Sequence, residues 1–395
     1  MTMKYCKKCV MPDTKPDLTY DTSGICDPCT TWEKKHGLHA ESIDWDARRK
    51  EFEDEIVANY KTDDPSTYDC IVPVSGGKDS TYQVHLLKEK YGMRILAVCF
   101  EPTLPTEIGR QNLEMLRRLG VDLIHFKKNP IVYEKMVMEG LRRVGDNEWA
   151  NHMGIFTVPF HFAVKFKIPL IVWGECPQLE YGGPKDARNK RILDQGWLFD
   201  YGGLIGNRPE DMVSEKLGIT LSDLKMYIYP TKEEIEKVGI KSIWLGQYFK
   251  WHLPDQMKLI ESLGWKRKTD RIEVTYGDFQ ALDCSSMTIH DYLKYVKYGF
   301  GRATDDACRD VRNGLIDREQ AVRLVEKYDG KYPLGVIKRF CEHFKLSREE
   351  FDTICDSFTN KAIFETKEGK FVRDIDGSLV LKKEIVELRR NPSLK

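Results

Sequence analysis

The sequence predicts an α/β fold: a doubly wound parallel sheet, with a cysteine-rich module in front and a helical region behind. Three observations predict it. Short apolar, β-branched runs recur at Asp69 to Val74, Arg94 to Phe100, Val121 to Phe126 and Ile168 to Trp173. Helical patterns lie between them, as at Thr106 to Leu119 with Leu113, Leu116 and Leu119. Strands alternating with helices imply parallel pairing. Past about residue 285 the apolar spacing becomes helical.

At about 150 residues per domain, 395 residues make two or three units. The expected division is a four-cysteine zinc-binding module at 1–35, a nucleotide domain at 36–284 and a helical region at 285–395. No repeat, low-complexity segment or obvious linker separates them, so one packed body is expected. Hydrophobic residues make up 41% and charged residues 31%, enough for a sizeable core beneath a soluble surface. The 62 Lys and Arg balance 62 Asp and Glu, which argues against bulk capture of nucleic acid but leaves room for a local basic groove. The first ten residues lack the apolar core of a signal peptide. The longest apolar stretch, Ile168 to Trp173, falls far short of the roughly 20 residues that span a bilayer. A cytoplasmic protein is expected, with neither membrane nor nucleic acid as partner.

Eleven cysteines in a reducing compartment read as thiols or metal ligands rather than disulfides. Cys6, Cys9, Cys26 and Cys29 form C-x2-C, sixteen residues, then C-x2-C. That spacing lets each pair direct two sulfurs at one tetrahedral metal. All four positions being cysteine leaves none open for catalysis, so a structural, zinc-ribbon-like site is expected, with an iron–sulfur cluster using the same ligands as the alternative. The other seven cysteines are scattered singly and read as small buried hydrophobes, with Cys176 the one to test.

The strand at Asp69 to Val74 runs into Ser75-Gly76-Gly77-Lys78-Asp79-Ser80 and then a helical stretch, Thr81 to Tyr91. Adjacent glycines let backbone N–H groups approach phosphate oxygens, and the helix N-terminus adds its dipole. Ser75 and Ser80 offer hydroxyls and Lys78 a charge. The spacing is neither that of Walker A nor G-x-G-x-x-G.

Ligands bind at the carboxyl ends of parallel strands. Glu101 follows the second strand and Gly174-Glu175 the fourth. A carboxylate at Glu175 can hold ammonium or take a proton from attacking ammonia; the competing reading is an ordinary helix N-terminal acid. The polar loop Tyr181 to Arg188 has a length suited to a lid, with Lys185 and Arg188 as polyphosphate ligands or solvated charges. His152 and His161 read as structural histidines. Helix starts are marked at Thr231/Glu234, Asp317/Gln320 and Ser347/Glu350 by capping-box spacing. Gly299 to Asp306 reads as an interhelical turn, or as a segment whose Arg302 closes over a sugar or nucleotide phosphate.

Ser75 to Ser80 after a strand resembles the PP-loop of the ATP pyrophosphatase superfamily, a HUP-like fold. With the motifs at Tyr5 to Thr14, Cys26 to Cys29 and Gly299 to Asp306, nearly the whole chain resembles the N-acetyl sugar amidotransferases of surface-polysaccharide pathways (WbpG/PseA type). That resemblance implies ATP and Mg2+, with Zn2+ at the cysteines. Pyrophosphate would lie on Ser75, Gly76, Gly77, Lys78, Asp79 and Ser80, and adenine against backbone near Phe100. Lys78, Asp79 and Glu175 would be catalytic. The implied reaction adenylates the acetamido oxygen of a nucleotide-linked or sialic-acid-like sugar, in LPS O-antigen or related glycan synthesis, and displaces AMP with ammonia. The chain begins Met-Thr and has no Gly-x-Cys-x-Gly elbow, so no built-in glutaminase is expected. By resemblance, ammonia comes from a separate glutaminase with a cyclase-like companion subunit. The competing reading is a PP-loop tRNA-thiolating enzyme, which would need Cys70, Cys99 and Cys176 to converge. A non-catalytic nucleotide-binding module is the third.

Overall fold

Cys70-Ile71-Val72-Pro73 alternates its side chains between two buried faces, which makes it a central strand. The computed structural model describes residues 3–39, 41–183, 190–204, 206–270 and 272–393. Its main sheet comprises β1 (Cys70–Pro73), β2 (Ile95–Phe100), β3 (Asp122–Phe126), β4 (Leu170–Trp173) and β5 (Lys241–Trp244). The order is β3-β2-β1-β4-β5 and every pairing is parallel. β1 lies between β2 and β4, where the strand order reverses, so the crevice at its carboxyl end is the place for a ligand.

The pleat divides the core. Ile71, Leu96, Val98, Ile171 and Trp173 face one side, against helices Pro130–Val144 and Trp149–Phe166. Val72, Ala97, Val172 and Ile243 face the other, against Lys78–His85 and Glu107–Arg118. The fifth strand escapes the sequence reading because Lys241-Ser242-Ile243-Trp244 is a short edge run with two polar residues.

Helices Met287–Tyr298, Arg302–Arg312, Arg318–Tyr328, Leu334–Phe344 and Arg348–Phe358 form the C-terminal region, followed by a small hairpin, Thr366–Lys367 with Lys370–Phe371. The capping boxes at Thr231, Asp317 and Ser347 are all closed reciprocally. Gly299 to Gly301 is an interhelical turn, with Gly299 left-handed at φ 74°.

The cysteine module packs on this region: Cys6, Cys9, Cys26 and Cys29 share a core with Phe300, Ala307, Cys308 and Val325. Its helix Asp27–Lys35 lies on Pro177–Tyr181, and Lys35 pairs with Glu180. Among the described residues, no helix is long and apolar enough to cross a membrane.

Candidate active site

The phosphate loop is bent by Gly76 at φ 81°. A Cβ there would lie 2.7 Å from the Gly109 carbonyl oxygen and 2.8 Å from the Leu113 nitrogen, so only glycine fits. Trp265 Nε1 donates to the Gly76 carbonyl at 3.0 Å. The helix begins at Lys78, three residues earlier than expected, with Gly77 as N-cap. Lys78, Asp79 and Ser80 therefore occupy the first turn, where backbone N–H groups lack helical partners and favour anions. Ser80 Oγ and Thr81 Oγ1 donate to the Gly77 carbonyl at 3.2 and 3.0 Å, fixing the entry to the helix.

Ser75, Gly77, Asp79 and Ser80 line a cavity of about 350 Å³. Val98, Phe100 and Pro102 at the end of β2 form one wall. Glu175, just past β4, stands between this cavity and a smaller chamber that also holds Lys78 and Tyr181. Lys78 pairs with the Asp79 carboxylate, whose other oxygen accepts from Trp251 Nε1 at 3.1 Å. Tyr181 donates its hydroxyl to Glu175, 3.0 and 3.2 Å from the two carboxylate oxygens.

These contacts set the protonation states. Burial pushes the Glu175 carboxyl up to about 7; Asp79 adds to the push and Lys78 opposes it. Burial works against the Lys78 ammonium, but the charges of Asp79 and Glu175 outweigh it, so its pKa sits above the ordinary lysine value. The site thus couples a firmly charged lysine to a carboxyl poised near neutrality.

Lys185 and Arg188 lie outside the described residues. Arg302 lines a neighbouring cleft with Lys15 and Lys294, and its guanidinium pairs with the buried Asp291 at 2.9 Å. His161 is structural, its Nε2 2.8 Å from the Ile228 carbonyl. His152 lines the main cavity, where burial lowers its pKa to about 4. Asn151 and Asp283 line it too and carried no sequence signal, since each reaches the loop only through the fold. Cys176 is buried, and Gln247 Nε2 donates to its sulfur at 3.2 Å. Cys70 and Cys99 face one core and Cys176 the other, so the three do not converge.

The four N-terminal cysteines have sulfurs within 4.8 Å of one another, and all four are fully buried. Cys9 and Cys26 sulfurs are 3.7 Å apart, close to the edge of a tetrahedron with metal–sulfur bonds of about 2.3 Å. Backbone N–H groups of Lys8, Cys9 and Cys26 donate to Cys6 Sγ at 3.4, 3.4 and 3.3 Å, as suits a thiolate. The donor set fits a tetrahedral metal.

Residues 273–376 match the family described as LPS biosynthesis protein WbpG-like, C-terminal domain. An uncharacterized protein of Methanocaldococcus jannaschii, MJ1599, is 25% identical over 324 residues, covering 82% of this chain and 93% of that protein. The solved structure of U34-tRNA thiolase NcsA from Methanococcus maripaludis, with its 4Fe–4S cluster, aligns over 80% of this chain and 89% of its own, at 15% identity and a TM-score of 0.32. The NH3-dependent NAD synthetase from Campylobacter jejuni aligns over 58% of this chain and 100% of its own, at 11% identity and a TM-score of 0.29. The parallel sheet, with Ser75 to Ser80 between β1 and its helix, is a doubly wound α/β fold with a glycine loop at its switch point.

The WbpG-like segment enters the site itself. Asp283 and Met287 line the main cavity, and Arg309 and Arg312 line the smaller chamber with Lys78. Burial works against the Arg312 guanidinium, but the nearby sulfurs of Cys29, Cys308 and Cys9 outweigh it and raise its pKa. One residue therefore faces both the cysteine cluster and the chamber.

Proposed function

We propose that the chain is an ATP-dependent amidotransferase that converts a sugar acetamido group to an acetamidino group in surface-glycan synthesis. One observation carries this reading: a WbpG-like segment supplies Asp283 and Arg309 to the walls around the PP-loop and Glu175.

An amide oxygen is a poor leaving group, so it must first be activated. The acetamide oxygen attacks the α-phosphorus of ATP, and pyrophosphate leaves with the electrons of the broken P–O bond. The first-turn N–H groups and Lys78 stabilise the charge that develops on the leaving phosphates. Mg2+, held by Asp79, would add Lewis-acid stabilisation of those phosphates. Ammonia then adds to the activated carbon, Glu175 accepts its proton, and AMP leaves with the C–O electrons. The cavity holds the two substrates in register.

Zn2+ is the metal we assign to the four-cysteine site, where it would join the N-terminal module to the C-terminal helices. Ammonia is supplied by a separate glutaminase with a cyclase-like companion, and the reaction belongs to the cytoplasm. Nucleotide-linked and sialic-acid-like acetamido sugars are the candidate acceptors.

Purified protein with sugar, ATP, Mg2+ and ammonium salt should release AMP and pyrophosphate in equal amounts, and Lys78→Ala should slow this by about 10²–10³-fold. Glutamine hydrolysis by the protein alone, at a rate matching amidine synthesis, would contradict the separate source of ammonia.

A further inference from the structure

A cleft of about 490 Å³ lies beside the site, between Lys15 and Asp17 of the N-terminal segment, helix Pro177–Tyr181, and Lys294, Arg302 and Asp305 of the C-terminal region. Pro177 also lines the main cavity. Tyr181 also lines the smaller chamber, and its hydroxyl donates to Glu175. The cleft thus adjoins both parts of the site through one short helix.

Three cations line the cleft, and two of them have counter-ions. Arg302 pairs with the buried Asp291 at 2.9 Å, and Lys294 pairs with Asp305. Lys15 is half-buried and makes no hydrogen bond or ion pair, yet its ammonium keeps accessible surface. The charges that act on that ammonium are those of Asp305, Asp27, Lys294 and Asp17. All but Asp27 line the cleft, which places the ammonium there. None of the carboxylates is given over to it. Asp305 is held by Lys294, and Asp27 is buried and accepts from the Thr19 backbone nitrogen at 2.9 Å. Asp17 is exposed to solvent, as is Asp200, which also lines the cleft. Burial accordingly lowers the Lys15 pKa more than the carboxylates restore it. A half-buried cation without a paired counter-ion favours an anionic ligand. In the amidotransferase reading the phosphates of ATP lie on Ser75 to Ser80, none of which lines this cleft, so the anion that fits here belongs to the acceptor.

We infer that Lys15 binds an acidic substituent of the acceptor sugar, a carboxylate or a phosphate, and that the cleft is the part of the acceptor site that takes it. This rests on the amidotransferase reading and adds the charge that its acceptor carries.

The test uses the full chain and titration calorimetry with three probes: N-acetylneuraminic acid, N-acetyl-D-glucosamine 1-phosphate and neutral N-acetyl-D-glucosamine. One acidic sugar or both should bind about tenfold more tightly than the neutral one, and which of them does so separates carboxylate from phosphate. Lys15→Gln should abolish that preference while leaving neutral-sugar binding, the KM for ATP and the melting temperature unchanged; Lys15→Arg should keep it. Equal binding of all three probes, binding of none, or a preference that survives Lys15→Gln would overturn the assignment. A rise in the KM for ATP in place of weaker acidic-sugar binding would give Lys15 to the nucleotide and overturn it too. A Lys15-dependent preference without amidine formation leaves the cleft assignment standing and removes the reaction reading.

Discussion

In the proposed reaction Glu175 is the base for ammonia; it lies past the end of β4, between the main cavity and the Lys78 chamber. Its carboxyl titrates near 7 because burial and Asp79 disfavour its charge more than Lys78 restores it. As a base it must be ionised, and it ionises as pH rises. At a fixed concentration of free ammonia, kcat/KM should therefore climb as pH passes upward through about 7 and then level off. Glu175→Gln should lower the rate by about 10²–10⁴-fold and flatten that rise while ATP still binds. A pH profile unchanged by the substitution would remove Glu175 from the proton path. The place of Glu175 beside the loop was legible from sequence because it directly follows a buried strand at the sheet's carboxyl edge, although an ordinary helix N-terminal acid competed with that reading. Asn151 and His152 were not, because an amide or imidazole early in a helix says nothing of the cavity that the helix borders.

In the proposed reaction the loop between β1 and its helix holds the phosphates, and its two glycines do different work. Gly76 is left-handed and pressed against the backbone of Gly109 and Leu113. Gly76→Ala should cost about 1–3 kcal/mol of stability, from the disfavoured φ and the backbone clash, and abolish ATP–pyrophosphate exchange. Gly77 has an ordinary φ of −72°, and a Cβ there would meet only Ser75 Oγ, at 3.2 Å. Gly77→Ala should leave the melting temperature nearly unchanged and weaken ATP binding alone. Thermal melts with nucleotide titrations of both variants separate the two roles. The interior strands β1, β2 and β4 were legible as continuous apolar runs. The strand β5 was not, since only Ile243 and Trp244 of its four residues are apolar. Helix Trp149–Phe166 carries Pro159 and is buried along much of its length, which blurs its amphipathic pattern.

Across the whole molecule, three stretches of chain meet around Glu175: the loop Ser75 to Ser80, the segment that matches the WbpG-like model with Asp283 and Arg309, and the N-terminal cysteine segment with Trp32. Cysteine spacing disclosed the four-cysteine cluster, but not that Trp32 beside it lines the chamber; that follows from the packing of Asp27–Lys35 on Pro177–Tyr181. Replacing Cys9 with Ser should remove the bound metal, lower the melting temperature and raise the KM for ATP. Metal content and melting measured on the same sample check this, and a metal-free variant that melts like wild type would deny the site a structural role. Equal positive and negative charge accords with a small acceptor, and the basic groups that matter, Lys78, Arg309 and Arg312, are gathered in the chamber instead of spread over the surface. The most direct test of the central claim is mass spectrometry of acetamido sugars incubated with the protein, ATP, Mg2+ and ammonium salt. The account predicts a product lighter than the sugar by the difference between oxygen and an NH group, formed together with AMP. Unchanged sugar, with sulfur replacing oxygen in tRNA under thiolating conditions, would contradict it.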